Sequence, residues 1–327
     1  DSFRGKEPEL GDDVKMTKVF IDGKEGTTGL RIFDRLSQRA DLQLLTLPER
    51  ERKNPALRRE MLNSCDVAIL CLPEDAALEA CEMVTEPHVR IIDPSTAHRI
   101  AKDWVYGLPE AWDGGWEQLE GATRVSVPGC HASGFLALTA PLIASGILKK
   151  DALISCTSLT GYSGGGHKMI AQYESDYRDV LLKSPRLYAL SQQHKHLKEM
   201  HHYSGLTVAP AFSPIVADYF NGMLTIINVF QEQLESGYSV KDIKELYRAR
   251  YAGPMVRYCE AMDEHGYLAS GKLKDLDGMD ISVAGNEDRI TLLARFDNLG
   301  KGASGAAIQL MNILIGADPY AGLILGK

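Results

Sequence analysis

No two cysteines in this chain stand at a metal-binding or disulfide-framework spacing: Cys65, Cys71, Cys81, Cys130, Cys156 and Cys259 are scattered, and there is no CxxC or HExxH run, so a reducing compartment is expected and metal is not. Positive charge is also short. Thirty-six Lys and Arg face 44 Asp and Glu, a formal net charge of -8, and a negative field disfavours nucleic acid and anionic membrane surfaces as partners. No stretch approaches the ~20 continuous apolar residues of a bilayer span. What remains is a small-molecule protein of the cytoplasm. Its 327 residues, 44% of them hydrophobic, suffice for about two domains. Residues 1–15 (DSFRGKEPELGDDVK) are charged, aperiodic and without an apolar signal region; they read as a tag, linker or leader remnant, expected to be disordered.

From residue 18 the chain alternates. Apolar runs at 18–21, 42–47, 67–72 and 89–92 predict strands, with helical patterns after Gly29 and at 54–63 and 75–84. Continuous apolar strands separated by helices imply a doubly wound parallel sheet of the Rossmann type. Between the first strand and helix lie Gly23, Gly26, Thr27, Thr28 and Gly29, spaced GxxGxxG. Small residues at that corner let a pyrophosphate approach the backbone and rest on the helix N-terminus; the alternative is a glycine turn without a ligand. About 20 residues further on, where the ribose is read, Glu49 favours NAD while Arg50, Arg52 and Lys53 favour NADP. The same charges also suit a solvated loop.

After Val127 the pattern changes to longer strands at 153–162, 206–212 and 223–230 and a hairpin at 281–296 turning at Gly285 and Asn286. Helices are expected at 168–182 and 240–252. This predicts an inserted α+β domain with a mixed or antiparallel sheet, and a last helix at 303–315 whose small residues return it to the first domain. The expected division is 16–128 plus 299–327 for the dinucleotide and 129–298 for catalysis and oligomerisation.

Two segments carry chemistry. VSVPGCHASGF at 125–135 places Cys130 at a strand-to-helix corner, where unpartnered helix amides favour thiolate and sharpen a nucleophile; the alternative is an inert cysteine filling a turn. QHKHLKEMHH at 193–202 is rich in histidine. His196 and Glu199, at i and i+3 on a helix, share a face, so the carboxylate can orient an acid–base imidazole; a solvated helix is the alternative. His131, adjacent to Cys130, diverges from it in direction and is a poorer partner. Ser163, Gly164 and the turn reaching Lys168 form either an anion site of backbone amides and ammonium or a plain linker.

VPGCHASGFLALTAPL, YGLPE at 106–110, DPSTAHR at 93–99, GYSGGGHK at 161–168, HKHLKE at 194–199 and DNLGKGASGAA at 297–307 occur together here. In this combination the chain resembles the short form of the N-acetyl-gamma-glutamyl-phosphate reductase family, over nearly its whole length from residue 18. That resemblance implies the architecture of glyceraldehyde-3-phosphate and aspartate-semialdehyde dehydrogenases, NADP as cofactor with NAD the alternative, and a homodimer or homotetramer. It implies Cys130 as the nucleophile that forms a thioester with an acyl phosphate, His196 as its acid–base partner and Glu199 as an accompanying carboxylate. Pro73, Ser95 and Asn298 join the expected cofactor contacts. The chain departs from the longer family form, which reads HRHxPE where Lys195, Leu197 and Lys198 stand and has an arginine near residues 219–222. Rival readings are another semialdehyde dehydrogenase, of the aspartate or aminoadipate type, and a dinucleotide sensor without turnover.

Overall fold

In the computed structural model, which describes residues 16–326, buried apolar strands alternate with helices from the first described residues onward; the expected leader at 1–15 lies outside them. Six strands, β1 (Thr17–Asp22), β2 (Leu42–Leu45), β3 (Val67–Leu70), β4 (Arg90–Asp93), β5 (Val105–Tyr106) and β6 (Arg124–Ser126), pair in the order β2-β1-β3-β4-β6-β5. Every pairing is parallel. Helices α1 (Thr27–Leu36), α2 (Pro55–Ser64), α3 (Glu74–Met83) and α4 (Gly115–Glu120) connect them. Asn54 caps α2, its side chain accepting from the amides of Ala56 and Leu57, with Pro55 at the first helical position, where its missing N–H costs nothing.

Helix α5 (Cys130–Ala144) leaves β6 and is apolar all round, its residues from His131 to Ile143 buried. It packs against a seven-stranded mixed sheet in the order β11-β12-β13-β10-β7-β9-β8. In chain order these elements are β7 (Ser155–Gly161), α6 (Gly166–Glu174), β8 (Arg186–Leu187), α7 (Leu197–Ser204), β9 (Ala211–Ala217), β10 (Met223–Phe230), α8 (Val240–Arg250), β11 (Val256–Tyr258), β12 (Met279–Gly285) and β13 (Arg289–Phe296). The chain ends in a π-helical turn at Gly300–Ser304 and helix α9 (Gly305–Leu314). Ala306, Ile308, Leu310 and Met311 of α9 share one buried cluster with Val19, Ile69 and Ile92 of the parallel sheet. None of the described helices is long and apolar enough to cross a membrane.

Three expectations need correction. The strand expected at 206–212 lies at Ala211–Ala217. It runs through Pro214, which a strand admits where neighbouring pairing is thin, and only the two-residue β8 covers its outer side. The helix expected over 168–182 stops at Glu174, with a separate 3₁₀ turn at Val180–Lys183. The last helix starts at Gly305, because the preceding turn carries i→i−5 bonds: the Gly302 amide donates to the Asp297 carbonyl at 3.1 Å and that of Ser304 to Leu299 at 2.9 Å.

Candidate active site

Cys130 is the first residue of α5, and Gly129 before it has extended backbone (φ -66°, ψ 143°). A Cβ on Gly129 would sit 2.6 Å from both Arg99 Nη1 and Glu199 Oε1 and would strike His196 Nε2. A side chain at this corner would have to push these groups aside, and the bare glycine lets all three pack against the residue preceding Cys130. The expected bias toward thiolate does not hold in the resting site. Burial pushes the Cys130 thiol up to about 11, against the pull of Arg99, the His131 amide and Lys195. Desolvation by the cleft walls outweighs the helix terminus.

His196 is buried and its pKa lies well below the ordinary imidazole range, because burial, Arg99 and the neighbouring His131 and His194 all disfavour its charge. The ring is neutral at pH 7, the state a proton acceptor needs. His196 caps the N-terminus of α7, and its amide donates to His194 Nδ1 at 3.1 Å. Glu199 does not play the part expected of it. Its carboxylate is buried and accepts from Arg99 Nη1 at 2.7 Å, the Tyr106 hydroxyl at 2.6 Å and the Gly129 amide at 3.0 Å; none of its hydrogen bonds goes to His196. The i, i+3 reading fails because His196 stands at the helix cap and Glu199 finds stronger donors across the molecule. Arg99 is held from three sides, its Nε donating to the Val127 carbonyl at 3.0 Å and its Nη2 to Pro94 at 2.9 Å.

One cleft of about 510 Å³ is bordered by Gly26, Thr27, Thr28, Gly29, Ser95, Cys130, Ser163, Gly164, His196 and Asn298. A second, of about 560 Å³, is bordered by Gly23, Glu49, Arg52, Lys53 and Pro73; Gly26, Cys71 and Leu72 line both. Gly23 has φ +81°, and a Cβ there would run into the Cys71 carbonyl; one on Gly29 would lie 2.6 Å from the Gly23 carbonyl. The Thr27 hydroxyl is buried with no hydrogen-bond partner. A glycine cradle with an orphan hydroxyl at the start of a ten-residue helix fits a dinucleotide pyrophosphate.

Arg50 and Lys168 are not brought to either cleft. The Arg50 side chain is 86% exposed and pairs with Glu51 at 3.8 Å, and Lys168 is exposed on α6. Asn298 is committed to protein: its Oδ1 accepts from the Gly222 amide and its Nδ2 donates to Ser163 Oγ, both at 2.9 Å. His131 is tied to Ser158 and Tyr188 at 2.8 Å each, and burial holds its pKa down at about 3. Among the described residues no group of three or more His, Cys, Asp or Glu has metal-holding geometry. Sequence reasoning passed over Arg99 and Tyr106, although both sit inside motifs it singled out. Their role depends on Glu199, a partner about a hundred positions away.

Comparison with known proteins takes the same direction. Residues 18–114 match the family model described as semialdehyde dehydrogenase, NAD binding domain, and residues 130–298 match semialdehyde dehydrogenase, dimerisation domain. Among solved structures, an aspartate semialdehyde dehydrogenase II complexed with ASA from Vibrio cholerae superposes with a TM-score of 0.70 at 14% identity, covering 92% of this chain and 99% of that one. An aspartate semialdehyde dehydrogenase with NADP from Candida albicans gives 0.63 at 16%, covering 91% and 98%. At such identities the likeness shows the fold. Fold and site together define an oxidoreductase of the semialdehyde dehydrogenase class. Much nearer in sequence are the N-acetyl-gamma-glutamyl-phosphate reductase of Rhizobium meliloti (strain 1021), 42% identical over 307 residues, 92% of this chain and 99% of that protein, and N-acetyl-gamma-glutamyl-phosphate reductase 2 of Nostoc sp. (strain PCC 7120), 41% identical over 322 residues, 95% and 100%. This chain belongs to the N-acetyl-gamma-glutamyl-phosphate reductase family.

Proposed function

We propose that the chain catalyses the NADP-dependent reduction of N-acetyl-glutamyl 5-phosphate to N-acetyl-glutamate 5-semialdehyde and phosphate, a step of arginine biosynthesis. The observation that carries the chemistry is the sharing of one cleft by Cys130, His196 and the glycine loop from Gly26 to Gly29. The choice of acyl group rests on the 42% identity to the Rhizobium meliloti reductase.

Cys130 Sγ attacks the acyl-phosphate carbonyl while neutral His196 takes the thiol proton; phosphate departs, taking a proton from solvent, and an acyl thioester remains. Amides of the first turn of α5 stabilise the developing oxyanion. Bound NADPH supplies the hydride that reduces the thioester carbon. The resulting thiohemiacetal alkoxide on Cys130 collapses to aldehyde, expelling sulfur, and His196 returns the proton to it. Gly23, Gly26, Thr27, Thr28 and Gly29 hold the pyrophosphate, and Arg52 and Lys53 hold the ribose 2′-phosphate. Ser163, Gly164 and Lys195, all on the cleft wall, receive the substrate's anionic ends.

The parallel-sheet unit with its returning C-terminal helix serves the dinucleotide, the intervening residues serve catalysis, and the chain works as a homo-oligomer in the cytoplasm. The match of 130–298 to a dimerisation domain supports the assembly; light scattering should give a multiple of 36.0 kDa. The decisive assay is phosphate-dependent reduction of NADP+ by N-acetylglutamate semialdehyde, run beside aspartate semialdehyde. Preference for the first by about 100-fold or more in kcat/KM is expected. Equal or reversed preference overturns the substrate assignment.

A further inference from the structure

Lys301 is fully buried, and the nucleotide and acyl-transfer chemistry above makes no use of it. Its Nζ donates to Glu110 Oε1 at 2.8 Å, Glu110 Oε2 at 2.9 Å and Gln309 Oε1 at 2.6 Å, and Gln309 Nε2 closes the ring on Glu110 Oε1 at 2.8 Å. Every proton of the ammonium is matched. Two segments meet here: the 3₁₀ turn Pro109–Ala111 supplies Glu110, and the π-helical turn with the helix α9 that continues it supplies Lys301 and Gln309. Packed apolar side chains fill such a space without the cost of removing two charges from water, so what an ion pair adds is fixed geometry.

That geometry bears on the nucleophile. The π turn contains Gly302, on which a Cβ would sit only 2.9 Å from Cys130 Cβ. It follows Asn298, which positions Ser163 on the same cleft. π turns are uncommon, cost helix regularity and gather at functional sites; this one puts bare backbone where any side chain would displace the thiol. Glu110 and Gln309, hydrogen-bonded to each other, both hold that turn through Lys301.

We infer that the buried Lys301–Glu110–Gln309 triad is a positioning device that fixes the π turn against Cys130 and so sets the placement of the thiol in the cleft. The inference rests on the reading of Cys130 as nucleophile and holds whichever acyl phosphate it meets.

The test is the paired variant K301M/E110Q, which removes both charges together and leaves an amide pair with Gln309, alongside the milder Q309L, which keeps the Lys301–Glu110 ion pair and removes only the third contact. In the paired variant kcat should fall by about 10- to 100-fold, as sub-ångström misplacement of a reacting group does. KM and NADPH affinity should move by less than about threefold. Iodoacetamide labelling followed by peptide mass spectrometry supplies a readout independent of substrate. With the wall loosened, Cys130 should alkylate faster at pH 8, while Cys156, buried in β7, keeps its wild-type rate. A kcat within twofold of wild type, or Cys130 and Cys156 rising together as in general loosening, overturns the inference. Failure of both variants to fold also overturns it, since the triad is then a stability element. Should the assigned substrate prove wrong, the split between the two cysteines still reads the positioning role.

Discussion

In the proposed mechanism Cys130 starts as a protonated thiol that must be activated on demand. Cys130→Ser is expected to abolish acyl-phosphate reduction while NADPH still binds, measured by cofactor fluorescence; near-wild-type turnover would sink the thioester route. With the thiol near 11 and His196 neutral, alkylation of Cys130 in the free protein should rise with pH from 7 to 9 without a plateau. A plateau below pH 8 would instead reveal a resting thiolate–imidazolium pair. His196→Gln should lower kcat by about 10²- to 10⁴-fold, the usual weight of a positioned acid–base group, leaving NADPH affinity intact. The position of Cys130 was legible, because a strand, a Pro-Gly break and a small-residue helix start are local signals. Its protonation state was not, since the walls that desolvate it come from residues far along the chain.

At the scale of elements, α7 is a latch. Through Glu199 it grips Arg99 and Tyr106 of the parallel-sheet unit and the amide of Gly129, while Tyr203, on the same helix, donates to the Arg99 carbonyl at 2.7 Å. Glu199→Ala strands a buried guanidinium, and breaking such a pair costs about 3–5 kcal/mol; urea unfolding should show a loss of that order, and a loss below 1 kcal/mol would mean that water or Val127 and Pro94 suffice for Arg99. The loop after β2 offers a cleaner test of cofactor choice. Arg52→Ala should weaken NADPH by about 10- to 100-fold, the worth of a charge-assisted hydrogen bond, with NADH unchanged. Most elements followed from periodicity, but the position of β9, the end of α6 and the start of α9 did not. Apolar residues at 206–212 suggested a strand, whereas the pairing partner β7 selects Ala211–Ala217 in register, Ser158 opposite Pro214. The π turn was equally hidden, because glycine-rich sequence allows it without requiring it.

At the scale of the whole molecule, burial of neutral imidazoles costs stability in acid. His131 and His194 titrate at about 3 and about 4 in the folded protein, against 6.5 for a free imidazole, burial being the first cause in each case. Between those values the unfolded chain binds protons that the folded one refuses, so the stability these groups contribute is complete above about pH 6.5 and drains as pH falls toward 4. The thermal midpoint should therefore drop steadily from pH 7 to pH 4.5, and His131→Phe, which cannot take up a proton, should flatten the slope. Sequence alone determined that a parallel dinucleotide sheet precedes a mixed sheet, that a glycine cradle opens α1 and that Cys130 starts a helix, because each depends on periodicity or on turn chemistry within a few residues. Only the tertiary structure decided what surrounds the sulfur. Glu199 goes to Arg99 instead of His196, Arg50 leaves the cleft while Arg52 stays, and Lys301 is buried on Glu110. These choices are contests between partners distant in the chain, settled by which charges the fold removes from water together.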